Sequence, residues 1–152
     1  MPVPKVENYG GRGAADLETI LSSLKPAQHE KESDYFMPAE WEDHPACLIL
    51  FPHNPETFRL PLVSKEIANL ALEIATRGQE SVCLLCKDEE TARKASEAVL
   101  SCWNQQNQDT YWGLTISTCI CPSNDTWARD TGPTFVFRKQ TSKLVGLDWD
   151  FN

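Results

Sequence analysis

The sequence predicts an α/β fold, and three observations carry the prediction. Strand-like and helix-like segments alternate between residues 46 and 120. The strand-like segments are short apolar runs rich in Leu, Ile, Val and Cys, as buried strands are. The segments between them have the length and periodicity of helical crossovers, which join parallel strands. Hydrophobic residues make up 41% and charged residues 24% of the 152, ordinary globular usage that allows one domain with a real core.

Residues 1–33 are mixed and polar, with Gly10-Gly11-Arg12-Gly13 and two early prolines. They read as a loose N-terminal extension holding at most a short helix around Ala15–Leu24. Glu30-Lys31-Glu32 is a solvated charge run. Order is expected from about residue 34 to residue 152, as one portion of a larger folded domain.

Ala46-Cys47-Leu48-Ile49-Leu50-Phe51 reads as a strand buried on both faces, stopped by Pro52 and Asn54-Pro55. From Leu62 to Arg77 the spacing predicts a helix, with Val63, Ile67, Leu70 and Ile74 as its apolar stripe. Gly78 occupies the place of a left-handed C-terminal cap. Ser81–Cys86 is a second strand. Asp88 is placed as the N-cap of a helix carrying Ala92, Ala95 and Val99 on one face. Leu114–Ile120 is a third strand. After the turn at Asn124–Pro133 come Thr134–Phe137 and Leu144–Trp149, read as a hairpin or adjacent strands.

Charge narrows the function classes. Lys plus Arg is 14 against Asp plus Glu 22, a net charge of −8, which argues against binding nucleic-acid phosphates. No run approaches the ~18 apolar residues of a membrane span. The N-terminus has neither the order of a signal peptide nor the acid-poor composition of a transit peptide, so a cytoplasmic address is expected. Six cysteines stand at 47, 83, 86, 102, 119 and 121. They sit in apolar runs where Cys behaves as a small hydrophobe. Cys83 and Cys86 are three apart, which on a strand sends them to opposite faces. No metal and no organic cofactor is expected.

The chemistry concentrates in Asn124-Asp125-Thr126-Trp127-Ala128-Arg129-Asp130-Thr131-Gly132-Pro133. A carboxylate three residues after an indole, on a Gly-Pro turn, suits a flat organic cation. Asp130 can accept two N–H bonds from a guanidinium, and the face of Trp127 can carry the positive charge. The same residue types are also ordinary turn formers, and spacing alone leaves both readings open.

Four motifs then resemble one family in order and spacing. Met37-Pro38-Ala39-Glu40-Trp41-Glu42 with His44 resembles the opening signature of the agmatine deiminase and bacterial-type peptidyl-arginine deiminase family. Pro52-His53-Asn54-Pro55 with Phe58-Arg59 resembles the loop after its first strand. Asn124–Pro133 resembles its substrate-binding turn, and Asp148-Trp149-Asp150-Phe151-Asn152 the strand after that turn. The resemblance implies a pentein-type α/β propeller of ββαβ modules, of which this chain would hold an incomplete N-terminal part. It implies hydrolysis of a small cationic guanidino substrate such as agmatine to a ureido product and ammonia. In the family a cysteine thiolate attacks the guanidinium carbon, carboxylates hold its nitrogens, and a histidine protonates the departing ammonia.

Carried over residue by residue, Asp130 matches the carboxylate that holds the guanidinium, and Trp127 the aromatic residue beside it. Arg129 is expected to pin the turn, and Glu40, Trp41 and His44 to be structural. The family's catalytic His-x-Asp has no counterpart. His29, His44 and His53 precede Glu30-Lys31, Pro45-Ala46 and Asn54-Pro55. None of the six cysteines inherits the nucleophile's role, so no catalytic residue is assigned within these 152. The chain reads as one wall of an active site, inactive in isolation. The alternatives are a non-catalytic truncated relative acting as a binding partner, and a peptidyl-arginine deiminase. A propeller arc with unpaired strand edges is further expected to self-associate, as a homo-oligomer or an aggregate.

Overall fold

The computed structural model describes residues 34–42, 44, 46–106 and 116–147. The expected N-terminal helix and the Asp148–Asn152 motif lie outside them. In chain order the elements are β1 (Tyr35–Phe36), β2 (Ala46–Leu50), α1 (Leu60–Glu73), β3 (Ser81–Cys86), α2 (Glu89–Gln106), β4 (Ile116–Ile120), the single turn α3 (Ala128–Thr131), β5 (Thr134–Arg138) and β6 (Lys143–Leu147). The architecture is α/β, and the described residues fall in two compact units, one within 44–126 and the other joining 34–42 with 127–147. Among the described residues no helix is long and apolar enough to cross a membrane.

The first unit is the β-α-β-α-β run. Its sheet has the order β2-β3-β4, all parallel, with Leu48 opposite Cys83 and Leu85 opposite Cys119. Both crossovers step in the same direction, so right-handed connections place α1 and α2 on one face. Val82, Leu84 and Cys86 point to that face and pack with Ala68, Ala71, Leu72, Ala92, Ala95 and Val99. Cys83 is also buried, but it alternates to the opposite face of β3, as its spacing from Cys86 requires.

Three local readings change. The core face of α1 is Ala68, Ala71 and Leu72, continued by Ala75 in the turn that follows, while Leu70 is exposed. Alanines let the helix approach closely, and this turns Leu70 out of the predicted stripe; Ile67 and Ile74 remain packed at its flank. The left-handed cap is Gln79 (φ 58, ψ 35), not Gly78. The last turn, Ile74–Gly78, is wider than an α-turn, with Gln79 N–H donating to Ile74 O five residues back. One extra residue in the turn moves the cap by one position. Finally, β2 is partly exposed along its whole length, because it lies at the edge of the sheet and β3 takes the centre.

Asp88 caps α2 as expected, accepting from Thr91 N–H at 2.8 Å and Thr91 Oγ1 at 2.7 Å. These bonds favour the ionised form and hold its carboxyl below the ordinary value.

The second unit contains an antiparallel sheet in the order β1-β5-β6. β5 and β6 form the expected hairpin, with Val136 opposite Val145, closed by a turn that places Ser142 at φ 52. β1 adds two residues to the free edge of β5, where Phe36 stacks on Phe137 with ring centroids 5.6 Å apart.

Candidate functional site

Trp127 opens the turn that leads into β5, within the second unit. Its backbone (φ −91, ψ 62) is not helical, and its carbonyl starts α3 by accepting from Asp130 N–H at 3.2 Å and Thr131 N–H at 3.0 Å. Thr131 Oγ1 donates to the same carbonyl at 2.8 Å. Gly132 N–H closes the turn on Ala128 O at 2.8 Å. Three donors on one carbonyl make a rigid miniature of a helix start, too short to be stable without such locking.

Gly132 is needed for space, not for an unusual φ. A Cβ built on it would lie 2.4 Å from the Ala128 carbonyl oxygen. Its extended backbone (φ −80, ψ 164) is also the one the following Pro133 demands. Gly132→Ala should therefore open the Gly132–Ala128 hydrogen bond and cost about 1–3 kcal/mol, the range for local backbone strain. Comparing urea unfolding of the two proteins checks this; an unchanged midpoint would contradict the close packing.

The turn presents both predicted residues outward. Trp127 is 54% exposed, unusually open for an indole. Asp130 is exposed too, and among the described residues its carboxylate has no side-chain hydrogen bond or ion pair. Among the described residues Arg129 does not pin the turn. Its guanidinium is exposed and likewise makes no such bond among the described residues, and Thr131 and Gly132 do the pinning. The expected structural roles of Trp41 and His44 are not seen among the described residues. Trp41 is 87% exposed, and His44 Nδ1 stands 4.0 Å from Glu80 Oε1, a solvent-exposed contact of little weight.

The first unit has a separate feature of its own, which sequence reading missed. The loops after β2 and β4 leave the carboxyl ends of parallel strands, the usual place for ligand-handling loops in open α/β sheets. Thr57 Oγ1, in the loop after β2, donates to Asp125 Oδ2 at 3.1 Å across 68 residues of sequence. Asn54 Nδ2 donates to Thr57 Oγ1 at 3.0 Å, and Asn54 Oδ1 accepts from Glu56 N–H at 3.0 Å. Asp125 Oδ1 accepts from Thr126 N–H at 2.9 Å. Asn54 and Asp125 were legible as motif members, but no spacing rule connects them.

Cys47, Cys83, Cys86 and Cys102 carry little nucleophilic character. Burial pushes the Cys83 thiol up to about 11 and the Cys86 thiol up to about 12, and it raises Cys47 and Cys102 as well. A thiol kept protonated at neutral pH is a poor nucleophile. The linkage has a definite sign. Unfolded thiols ionise near 9, so above pH 9 the unfolded chain releases protons that folded Cys83 and Cys86 retain. Stability should therefore fall as pH rises from 9 toward 11, and urea midpoints across that range test it. A flat profile would contradict the burial of these thiols.

The chain is similar to known proteins over most of its length. A model of the Porphyromonas-type peptidyl-arginine deiminase family matches residues 36–152. An agmatine deiminase of Medicago truncatula is 34% identical over 127 residues, which are 78% of this chain and 30% of that protein. A Mycoplasma capricolum protein provisionally named agmatine deiminase is 29% identical over 132 residues, 86% of this chain and 32% of the relative. A crystal structure provisionally named agmatine deiminase superposes with a TM-score of 0.57 at 25% identity, covering 80% of this chain and 30% of its own. The chain thus spans about a third of the length of the relatives it matches. With the family model running unbroken from Phe36 through both motif loops to Asn152, the chain belongs to the Porphyromonas-type peptidyl-arginine deiminase family.

Proposed function

We propose that this chain supplies the guanidinium-holding wall of an agmatine deiminase site. The reaction is hydrolysis of agmatine: water adds its oxygen to the guanidinium carbon, ammonia leaves, and N-carbamoylputrescine remains. Asp130 accepts the substrate's N–H bonds and Trp127 shields the delocalised charge. The observation that carries this reading is the outward-facing Trp127–Asp130 pair on a turn locked by Thr131 and Gly132, within a region matched by the family model.

The chemistry fits the residue types. A guanidinium is a weak electrophile held by delocalised charge, so anchoring by a carboxylate must accompany attack by a nucleophile. The nucleophilic cysteine and the histidine acid/base of the family have no counterpart among these 152 residues. The isolated chain accordingly binds agmatine without turning it over, because losing such groups removes several orders of magnitude in rate. In this reading residues 34–152 are one arc of a pentein propeller built of ββαβ modules, residues 1–33 an extension to it, and the protein cytoplasmic. Exposed strand edges make the isolated chain self-associating.

The relatives' names point to agmatine and the family model's name to peptidyl arginine. Agmatine is preferred, because both named relatives and the structural neighbour carry it. The test is an assay on the native protein purified from its own cells, with agmatine and an arginyl peptide supplied separately. A native protein that also carries the nucleophile and the acid/base should form equal amounts of ammonia and N-carbamoylputrescine from agmatine, and one of these 152 residues alone should bind agmatine without product. Citrulline formed in the peptide alone would replace this reading with the peptidyl one, and neither product from nor saturable binding of either substrate would overturn both.

A further inference from the structure

We infer that the loops after β2 and β4 hold a bound water molecule at the carboxyl end of the parallel sheet, shared by His53 Nε2 and Ser123 Oγ. Both residues belong to the first unit. Both atoms are buried, and neither has a hydrogen-bond partner among the described residues. An unpaired buried polar atom carries its full desolvation cost, which native structures seldom leave unmet.

The state of the His53 ring follows from its other nitrogen. Nδ1 lies 3.4 Å from Phe51 O, and a carbonyl oxygen can only accept, so Nδ1 carries the proton. In the neutral ring Nε2 is then an acceptor in need of a donor. Ser123 Oγ can donate or accept. One water serves both, giving a hydrogen to His53 Nε2 and accepting the hydrogen of the Ser123 hydroxyl.

The backbone brings the two residues to the same end of the sheet. Phe51 N–H donates to Leu85 O at 2.8 Å and Cys121 N–H donates to Cys86 O at 2.7 Å, so the ladder continues past β2 and β4 on both sides of β3. His53 and Ser123 each follow two residues later. Strands on either side of a third stand about 10 Å apart. Here the two loops close that gap, with Thr57 Oγ1 donating to Asp125 Oδ2 at 3.1 Å. A water making two bonds of ~2.8 Å joins atoms up to about 5.5 Å apart, beyond the reach of a direct bond. No three metal-binding side chains converge among the described residues, and two partners meet the minimum that a buried water needs.

The experiment is NMR on the full chain, followed by urea unfolding of two single variants and their double. Long-range proton–nitrogen correlation should show His53 as the Nδ1–H tautomer. The His53 ring protons and the Ser123 methylene protons should both exchange magnetisation with a long-lived water. Absence of that water signal would overturn the inference, and so would an Nε2–H tautomer. Neither readout depends on a variant that folds. Ser123→Ala removes one partner of the water, and His53→Asn keeps a donor near the place of Nδ1 while removing Nε2. Each should lower the folding constant about 5- to 30-fold. A shared water makes the two losses overlap, so the double variant should lose about as much as the more damaging single one. Losses that multiply would show that the two atoms have separate partners and would overturn the shared site. Two single variants as stable as the parent would overturn it as well.

Discussion

Asp130→Asn should weaken binding of agmatine by about 10- to 100-fold, as expected for losing a charge-assisted hydrogen bond of ~1.5–3 kcal/mol. The substitution keeps size and shape and removes only the charge and one acceptor. Asp130 is exposed and its carboxylate has no side-chain bond among the described residues, so the folded chain should lose no stability. This combination is diagnostic. A structural carboxylate would show the reverse pattern, lowered stability with affinity intact. Titration calorimetry and urea unfolding on the same two proteins give both numbers. Unchanged agmatine affinity would remove Asp130 from the site.

The largest expected effect on stability belongs to Leu84→Ala. Leu84 is fully buried at the centre of β3, between Ile49 of β2 and Thr118 of β4 in register, beneath both helices. Truncation removes its apolar transfer energy and leaves a cavity that a sheet flanked by two helices closes only in part. Such changes cost about 2–5 kcal/mol, a large share of the ~5–15 kcal/mol that holds a typical domain folded. Leu84→Met, which preserves volume, should cost less than about 1.5 kcal/mol. Equal losses for the two variants would mean that the β3 face is not the close-packed core described.

What could be read in the sequence follows the physics of each feature. The alternation of β2, α1, β3, α2 and β4 was legible because helix and strand periodicities differ and Asp88 marks a helix start. The burial of Ala92, Ala95 and Val99 was legible for the same reason. The core face of α1 was not. A stripe of large apolar residues looks like a core face, and only tertiary packing chooses the alanines beside it. The Gln79 cap was hidden because nothing in Ile74–Gly78 announces a wide last turn. At the candidate site, Trp127 and Asp130 stood out through the motif that resembles the family's. The locking of their turn by Gly132 needed coordinates, since glycine ordinarily signals positive φ and here signals a close approach. Thr57 was invisible to sequence reading, as its partner lies 68 residues away.

The central claim is that the Trp127–Asp130 turn grips a guanidinium. The most direct measurement is an amide and indole NMR titration of the chain with agmatine, with 1,5-diaminopentane as the matched cation lacking a guanidinium. The account predicts saturable shifts of the Trp127 indole and of the Asp130, Thr131 and Gly132 amides with agmatine, several-fold smaller shifts with the diamine, and their loss in Asp130→Asn. Identical shifts with both cations, or agmatine shifts that survive Asp130→Asn, would contradict it.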